Sequence, residues 1–250
     1  MGVPSYKMNQ DFYLNYGEAK SFYCAVDMGD LVYSLLFAKY KNVDTIYLDD
    51  TKKGVSNRNF NEASRKFIEP LLLSQPYIKK IEKYTNQVFD INYGEHPKAD
   101  VVVGTNLTAF HASKFNLECD SKEVNESWLE CPSTDTGKNI VINRSLRYRG
   151  DANFYLDFFK HINPQKCVFV GLEEEYEDFI KTFRYPVDYK ASENAYELMV
   201  AINSCDVFFG NESVSCAIAK GLGKTCFVEL CRQAANYIFT GNKKINYFGI

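Results

Sequence analysis

The sequence predicts an α/β fold built as two parallel-sheet halves. Three observations carry this. Short apolar runs alternate with helix-like stretches along most of the chain. Several runs end in a small or polar turn that opens straight into a helix, as in CAVDMGDLV and FFGNESVSC. A polar segment, 119–138, then separates one round of alternation from the next and has the composition of a linker. The expected halves are residues 1–133 and 134–250.

In the first half, Ser21–Val26 reads as a buried strand, Asp27–Asp30 as a turn and Leu31–Tyr40 as a helix by its apolar spacing. Asp44–Leu48 is a second strand, close enough for a βαβ unit. The polar stretch Asp49–Asn59 reads as a loop, and 61–74 as a helix stopped at Gln75-Pro76. Short β-like pieces follow at 78–81, 88–91 and 101–103, with a helix over 107–115. In the second half the strands are expected at 139–142, 167–170, 206–209 and 226–229. The helices are expected at 151–160, 173–183, 194–204 and 213–222; the acidic start of 173–183 suits the helix dipole.

The chain of 250 residues is long enough for a substantial core, and 46% hydrophobic with 24% charged residues is ordinary for a globular protein. A net charge of −3 argues against a dedicated non-specific nucleic-acid binder, which needs many phosphate-neutralising cations. Mean hydropathy is −0.32, and no apolar run approaches a membrane span. The first residues have no signal-type apolar core, so a cytoplasmic protein is expected. The eight cysteines are scattered with no C-x-x-C pair, which fits reduced structural thiols better than disulfides or zinc. His96, His111 and His161 are isolated. No cofactor and no metal site is expected.

Three segments carry candidate chemistry. In DVFFGNESVSCAIAKGLGKTCFVEL (206–230) a strand runs into Gly210-Asn211-Glu212 and a helix opens at Ser213. Ser213 is a plausible N-cap, the helix start offers N–H groups to an anion, and Gly210 permits a close approach to the backbone. Glu229 ends the next strand, where it can accept hydrogen bonds from ligand hydroxyls. The alternative is an ordinary capped helix in a sheet. In IVINRSLRYRG (140–150), Arg144, Arg147 and Arg149 follow a strand. Guanidiniums there suit phosphate, and Arg144, next to the strand end, is the first choice; the alternative is a solvated basic loop. In AVDMGDLVYSLLFAK (25–39), Asp27 and Asp30 flank a turn with Gly29. A carboxylate there can serve as a general base or simply cap the helix. Gly171, at the end of the strand in FVGLEEE, is a further candidate for the cleft wall. There is no P-loop, no G-x-G-x-x-G, no G-x-S-x-G and no D-x-D.

Taken in order, MGDLVYSLLFAK, IVINRSLRYRG, FVGLEEE and DVFFGNESVSCAIAKGLGKTCFVEL resemble the GT-B fold glycosyltransferases, notably the heptosyltransferase-like group. Small phage and bacterial proteins share this set of motifs, and the resemblance spans roughly residues 21–238. It implies two Rossmann-like domains facing a cleft, with a nucleotide-sugar donor held by the C-terminal half and a hydroxyl acceptor by the N-terminal half. It implies no obligatory metal. By match of motif, Asp30 is the base, with Asp27 and Gly29 beside it on the acceptor side. Arg144 meets the diphosphate, Asn211, Ser213 and Val214 cradle phosphate, and Glu229 faces the donor. Larger members carry an aspartate and a histidine around this helix start; here Asn211-Glu212-Ser213 stands and no histidine follows. Two other readings stay open. One is a phage-type DNA glycosyltransferase acting on hydroxymethylated cytosine, for which Lys52, Lys53, Arg58, Arg65 and Lys66 would form the phosphate-contacting patch. The other is a non-catalytic nucleotide-binding module.

Overall fold

The computed structural model describes residues 19–51, 60–93, 126–132, 134–150, 153–231 and 242–248. The expected strand at 101–103, the expected helix at 107–115, His96, His111, Cys119, Lys52, Lys53 and Arg58 lie outside these residues.

The N-terminal sheet holds β1 (Ser21–Cys24), β2 (Thr45–Leu48), β3 (Lys80–Lys83) and β4 (Ile91–Asn92) in the order β3-β2-β1-β4, all parallel. The crossovers are α1 (Met28–Lys41) and α2 (Glu62–Leu73). The C-terminal sheet holds β5 (Ile140–Asn143), β6 (Cys167–Val170), β7 (Asp188–Lys190), β8 (Val207–Asn211), β9 (Thr225–Glu229) and β10 (Ile245–Phe248). Their order is β10-β9-β8-β5-β6-β7, again all parallel. Its helices are α3 (Asn153–Phe159), α4 (Glu173–Phe183), α5 (Ala195–Asn203) and α6 (Val214–Gly221). Numbered within its own half this is the 3-2-1-4-5-6 order of a Rossmann fold, and the N-terminal sheet follows its first four positions. In such sheets the ligand crevice lies where the order reverses. Here those points are the carboxyl ends of β1 and β4 in one half and of β5 and β8 in the other.

Parallel strands covered on both faces read as unbroken apolar runs. This is why β6 has the expected bounds, 167–170, while the acidic first turn marks α4 at its expected bounds, 173–183. Other elements differ. Helix α1 begins at Met28, so Gly29 and Asp30 lie in its first turn rather than in a loop. Strand β8 runs on through Gly210 and Asn211. Strands β7 and β10 were not expected. Both are short and lie at the ends of their sheet, with Asp188, Lys190 and Asn246 exposed.

One apolar core crosses the two halves. Eight consecutive residues of α1, 31–38, are buried. A helix buried all round must be covered on every side. The first-half sheet covers one side of α1 and α6 the other, while α2 packs on α5. The described part of the expected linker is therefore no free tether. Trp128 and Leu129 are buried, and their N–H groups both donate to the Gly221 carbonyl at 2.9 and 3.0 Å. The Trp128 indole donates to the Val32 carbonyl at 3.0 Å, and the Tyr77 hydroxyl to the Trp128 carbonyl at 2.7 Å. A second core, rich in rings, lies within the C-terminal half and contains Tyr155, Phe159, Phe169, Phe179, Phe183 and Phe209.

Among the described residues no helix is long and apolar enough to cross a membrane. The seven described cysteines are free, and all but Cys131 are buried.

Candidate functional site

A cavity of about 400 Å³ lies between the halves. Asp27, Met28, Gly29, Asp30 and Tyr33 line it from the start of α1, and Phe60 and Ser64 from the approach to α2. Arg147 and Tyr148 line it from the loop after β5, and Glu212, Ser213 and Val214 from the start of α6. The cavity thus sits at the reversal points of both sheets. Two helix starts face it.

On the N-terminal wall, Asp27 occupies the N-cap position with extended backbone, and its side chain makes no capping bond to α1. Asp30 sits in the first helical turn, where a carboxylate suits the dipole. Burial pushes the Cys24 thiol well up, and the Asp30 charge adds to the rise. The Tyr93 hydroxyl responds the same way, for the same two reasons. Asp30 therefore stands near Cys24, at the end of β1, and Tyr93, just past β4. A Cβ on Gly29 would meet nothing, so packing does not require glycine there.

On the C-terminal wall, Ser213 caps α6. Its hydroxyl accepts from the Cys216 N–H at 3.3 Å and donates to Asn143 Oδ1 at 2.8 Å. Asn211 is fully buried and holds the Arg147 loop. Its Oδ1 accepts from the Ser145 N–H at 2.9 Å, and its Nδ2 donates to the carbonyls of Ser145 and Arg147. Tyr148 then takes a left-handed backbone, φ 51°, and Arg147 reaches over its ring. Asn211 is thus a positioning residue, not a cleft contact. Glu212 borders the cavity and is paired at 2.8 Å with the buried Lys220. Burial opposes the Lys220 charge, but the Glu212 carboxylate beside it keeps the ammonium protonated.

Besides Asn211, four expected donor contacts are placed elsewhere. Arg144 and Glu229 form a buried bidentate pair, Nε to Oε2 at 2.9 Å and Nη2 to Oε1 at 3.0 Å. Glu229 also accepts from the Tyr155 hydroxyl at 2.7 Å and the Gly150 N–H at 2.5 Å. Arg144 lies over the Tyr155 and Phe183 rings. Neither reaches the cavity, so Arg144 is not placed to meet a diphosphate there, nor Glu229 to face a donor. The reason is register. Asn143 pairs with Gly210, and Asn211 with Glu229, so Arg144, Asn211 and Glu229 form one row across three strands. Gly210 itself serves packing: a Cβ would stand 2.0 Å from the Asn143 carbonyl oxygen. Gly171 has φ 137°, and a Cβ would stand 2.6 Å from Glu175 Oε2 and 2.7 Å from Asn143 Nδ2. Burial pushes the Glu175 carboxyl up there. Both glycines are demanded by neighbours rather than by a ligand.

Arg149 pairs with Asp178 at 2.7 Å. Of the three loop arginines, Arg147 alone lines the cavity, and it is exposed. Tyr33, Phe60, Ser64 and Tyr148 were not singled out from sequence; no motif marks them. Of the basic patch, Arg65 pairs with Asp50 at 3.1 Å and with Glu69 at 2.9 Å, and Lys66 with Glu62 at 2.8 Å. Among the described residues no group of three metal-ligating side chains is brought together.

No family model matches the chain, and no curated protein matches it by sequence. Two solved structures share its fold. One is described as a glycosyl transferase family 9 protein from Veillonella parvula DSM 2008. It has a TM-score of 0.62 and 11% identity, over 93% of this chain and 86% of that one. The other is described as the ADP-heptose lps heptosyltransferase II of E. coli. It has a TM-score of 0.55 and 11% identity, over 91% and 90%. At this identity the likeness is one of fold: two Rossmann-like halves facing a cleft, the GT-B arrangement.

Proposed function

We propose that the protein is a glycosyltransferase that moves a sugar from a nucleoside-diphosphate donor to a hydroxyl acceptor in this cleft. The observation that supports it most is the meeting of two unlike walls in one cavity. An acidic helix start, Asp27 and Asp30, faces a wall suited to anions, the α6 start with Arg147. The fold shared with two glycosyltransferases agrees.

In this reading the acceptor O–H donates a hydrogen bond to Asp30. As the acceptor oxygen bonds to the anomeric carbon, its proton passes to the carboxylate. The bond from that carbon to the diphosphate oxygen breaks, and the electron pair leaves with the diphosphate. Arg147 and the free N–H groups of α6 meet the growing charge. This cation makes transfer without added metal the expectation. Tyr33, Phe60 and Tyr148 line the space with rings and exclude water around the reacting groups. The DNA-acceptor reading gains nothing from Arg65 and Lys66, whose charges are committed to neighbouring acids. A hydroxyl is all that the cleft chemistry requires of the acceptor.

The test follows nucleoside diphosphate released from a panel of nucleotide-sugars, with and without a chelator. Asp30→Asn is expected to lower turnover by about 100-fold or more and to leave nucleoside-diphosphate affinity unchanged. Equal loss of both would make Asp30 a binding residue. Tight binding by the unaltered protein with no transfer to any acceptor would favour the non-catalytic module.

A further inference from the structure

Two domains joined by a connection move against each other by default, unless the surface between them is large and apolar. Here the two helices that carry the cleft walls are also two that pack together between the halves. Helix α1 brings Met28 and Asp30 to the cavity at its start and buries residues 31–38 behind them. Helix α6 brings Val214 to the cavity at its start and buries Ser215–Gly221 behind it. Tyr33 belongs to both places: it lines the cavity, and its ring centre stands 6.2 Å from that of Trp128. The packing of α1 on α6 therefore sets the width of the cleft. Parting the two helices would expose their apolar faces to water.

The connection lays a strap across the same seam. On the N-terminal side, Gln75 is 1% exposed and grips Glu130 by both its backbone groups. Its Oε1 accepts from the Glu130 N–H at 2.9 Å, and its Nε2 donates to the Glu130 carbonyl at 3.3 Å. On the C-terminal side, Asn203 Nδ2 donates to the carbonyls of Cys131 and Pro132 at 3.0 and 3.2 Å, and the Ser127 hydroxyl to the Leu222 carbonyl at 3.3 Å. Between them, Trp128 is bonded to Gly221 of one half and to Val32 of the other. Gly221 shows how closely the strap lies: a Cβ there would stand 2.7 Å from Leu129 Cδ1 and 3.1 Å from Trp128 Cε2. A hinge is a few residues that absorb a change of φ and ψ. Residues 127–132 are instead tied to both halves in turn.

We propose that the two halves move as one rigid unit with a cleft of fixed width, and that the strap 127–132, gripped by Gln75, is what locks it. A ligand then enters a cavity that is already formed rather than one that closes around it. The lock does not depend on which reaction the cleft performs.

The test is native-state hydrogen exchange, read by NMR on the full chain. The backbone N–H groups of Trp128, Leu129 and Glu130 report on the seam, together with the indole N–H of Trp128, the chain's one tryptophan. Those of Val141 and Phe208, in the central strands β5 and β8, report on global unfolding. Seam and strand groups are expected to exchange equally slowly, both by unfolding of the whole chain. Seam exchange about tenfold or more faster would mean that the halves part within the folded protein, and overturns the proposal. Gln75→Leu keeps the side chain's bulk and removes its two bonds to Glu130. It is expected to speed seam exchange about tenfold or more relative to the strands, the worth of two hydrogen bonds. Asn203→Ala is the milder companion, with the same direction expected, in case Gln75→Leu does not fold. Unchanged seam exchange in the folded variant overturns the strap as the lock. Small-angle scattering is expected to give the same radius of gyration with and without a saturating nucleoside diphosphate, chosen by titrating those of the five common bases. A smaller radius with it would show closure and overturns the fixed width. If none of the five binds, the transferase reading fails, while hydrogen exchange still decides this proposal.

Discussion

Two glutamates end neighbouring strands of one sheet, and each has a buried cation for a partner. Their surroundings differ in kind. Glu229, at the end of β9, is saturated: it accepts from Arg144 twice, from Tyr155 and from the Gly150 backbone, under a roof of aromatic rings. Glu212, just past the end of β8, has Lys220 behind it and the cavity in front. The first pair is architecture. It pins the loop that carries Arg147, because Gly150 closes that loop. The second lies where a ligand can touch it. An acid at a strand's carboxyl end is therefore not yet a site residue. What decides is whether its row of the sheet is roofed by side chains or opens onto a helix start.

The largest effect is expected at the sealed pair. Arg144→Met should cost about 3–5 kcal/mol, because Glu229 is left charged and without its cation. Chemical denaturation reads this directly. Arg144→Met with Glu229→Leu should recover much of the loss, and failure to recover would show that the row is held by more than the pair.

A smaller effect is expected where a strand-end acid is paired nearer the surface. Asp50 follows β2 and meets Arg65 at 3.1 Å and Lys83 at 2.9 Å. Burial works to raise its carboxyl, but the bonds from Lys83 and Arg65 outweigh it and hold the group below the usual carboxylate range. A depressed acid stabilises the fold above its unfolded pKa and loses that contribution as pH falls through its lowered folded value. Asp50→Asn should therefore cost about 1–3 kcal/mol near neutral pH. The gap from the unaltered protein should close in acid below pH ~4. A gap that is constant with pH would remove the charge from the explanation.

Much of the architecture was legible in the sequence because the strands are buried on both faces. CVFV and VFF can be little else in an alternating chain. The site was legible in its segments but not in its assignments. Asp27, Gly29, Asp30, Ser213 and Val214 all reach the cavity. Arg144 and Glu229 do not, because their meeting depends on a register across β5, β8 and β9 that no local pattern encodes. Arg147 looks from sequence like one more cation of a basic loop; Asn211, from the neighbouring strand, turns it toward the cleft. The apparent linker hid Trp128, whose size and apolar character were the available signal of burial.

The ligand's charge is met by the open loop and not by the sealed pair. Arg147→Ala, titrated with the nucleoside diphosphate that the unaltered protein binds, tests it most directly. An affinity about ten- to a hundredfold weaker with an unchanged melting temperature is expected. Unchanged affinity would contradict it and return the phosphate contact to another part of the molecule.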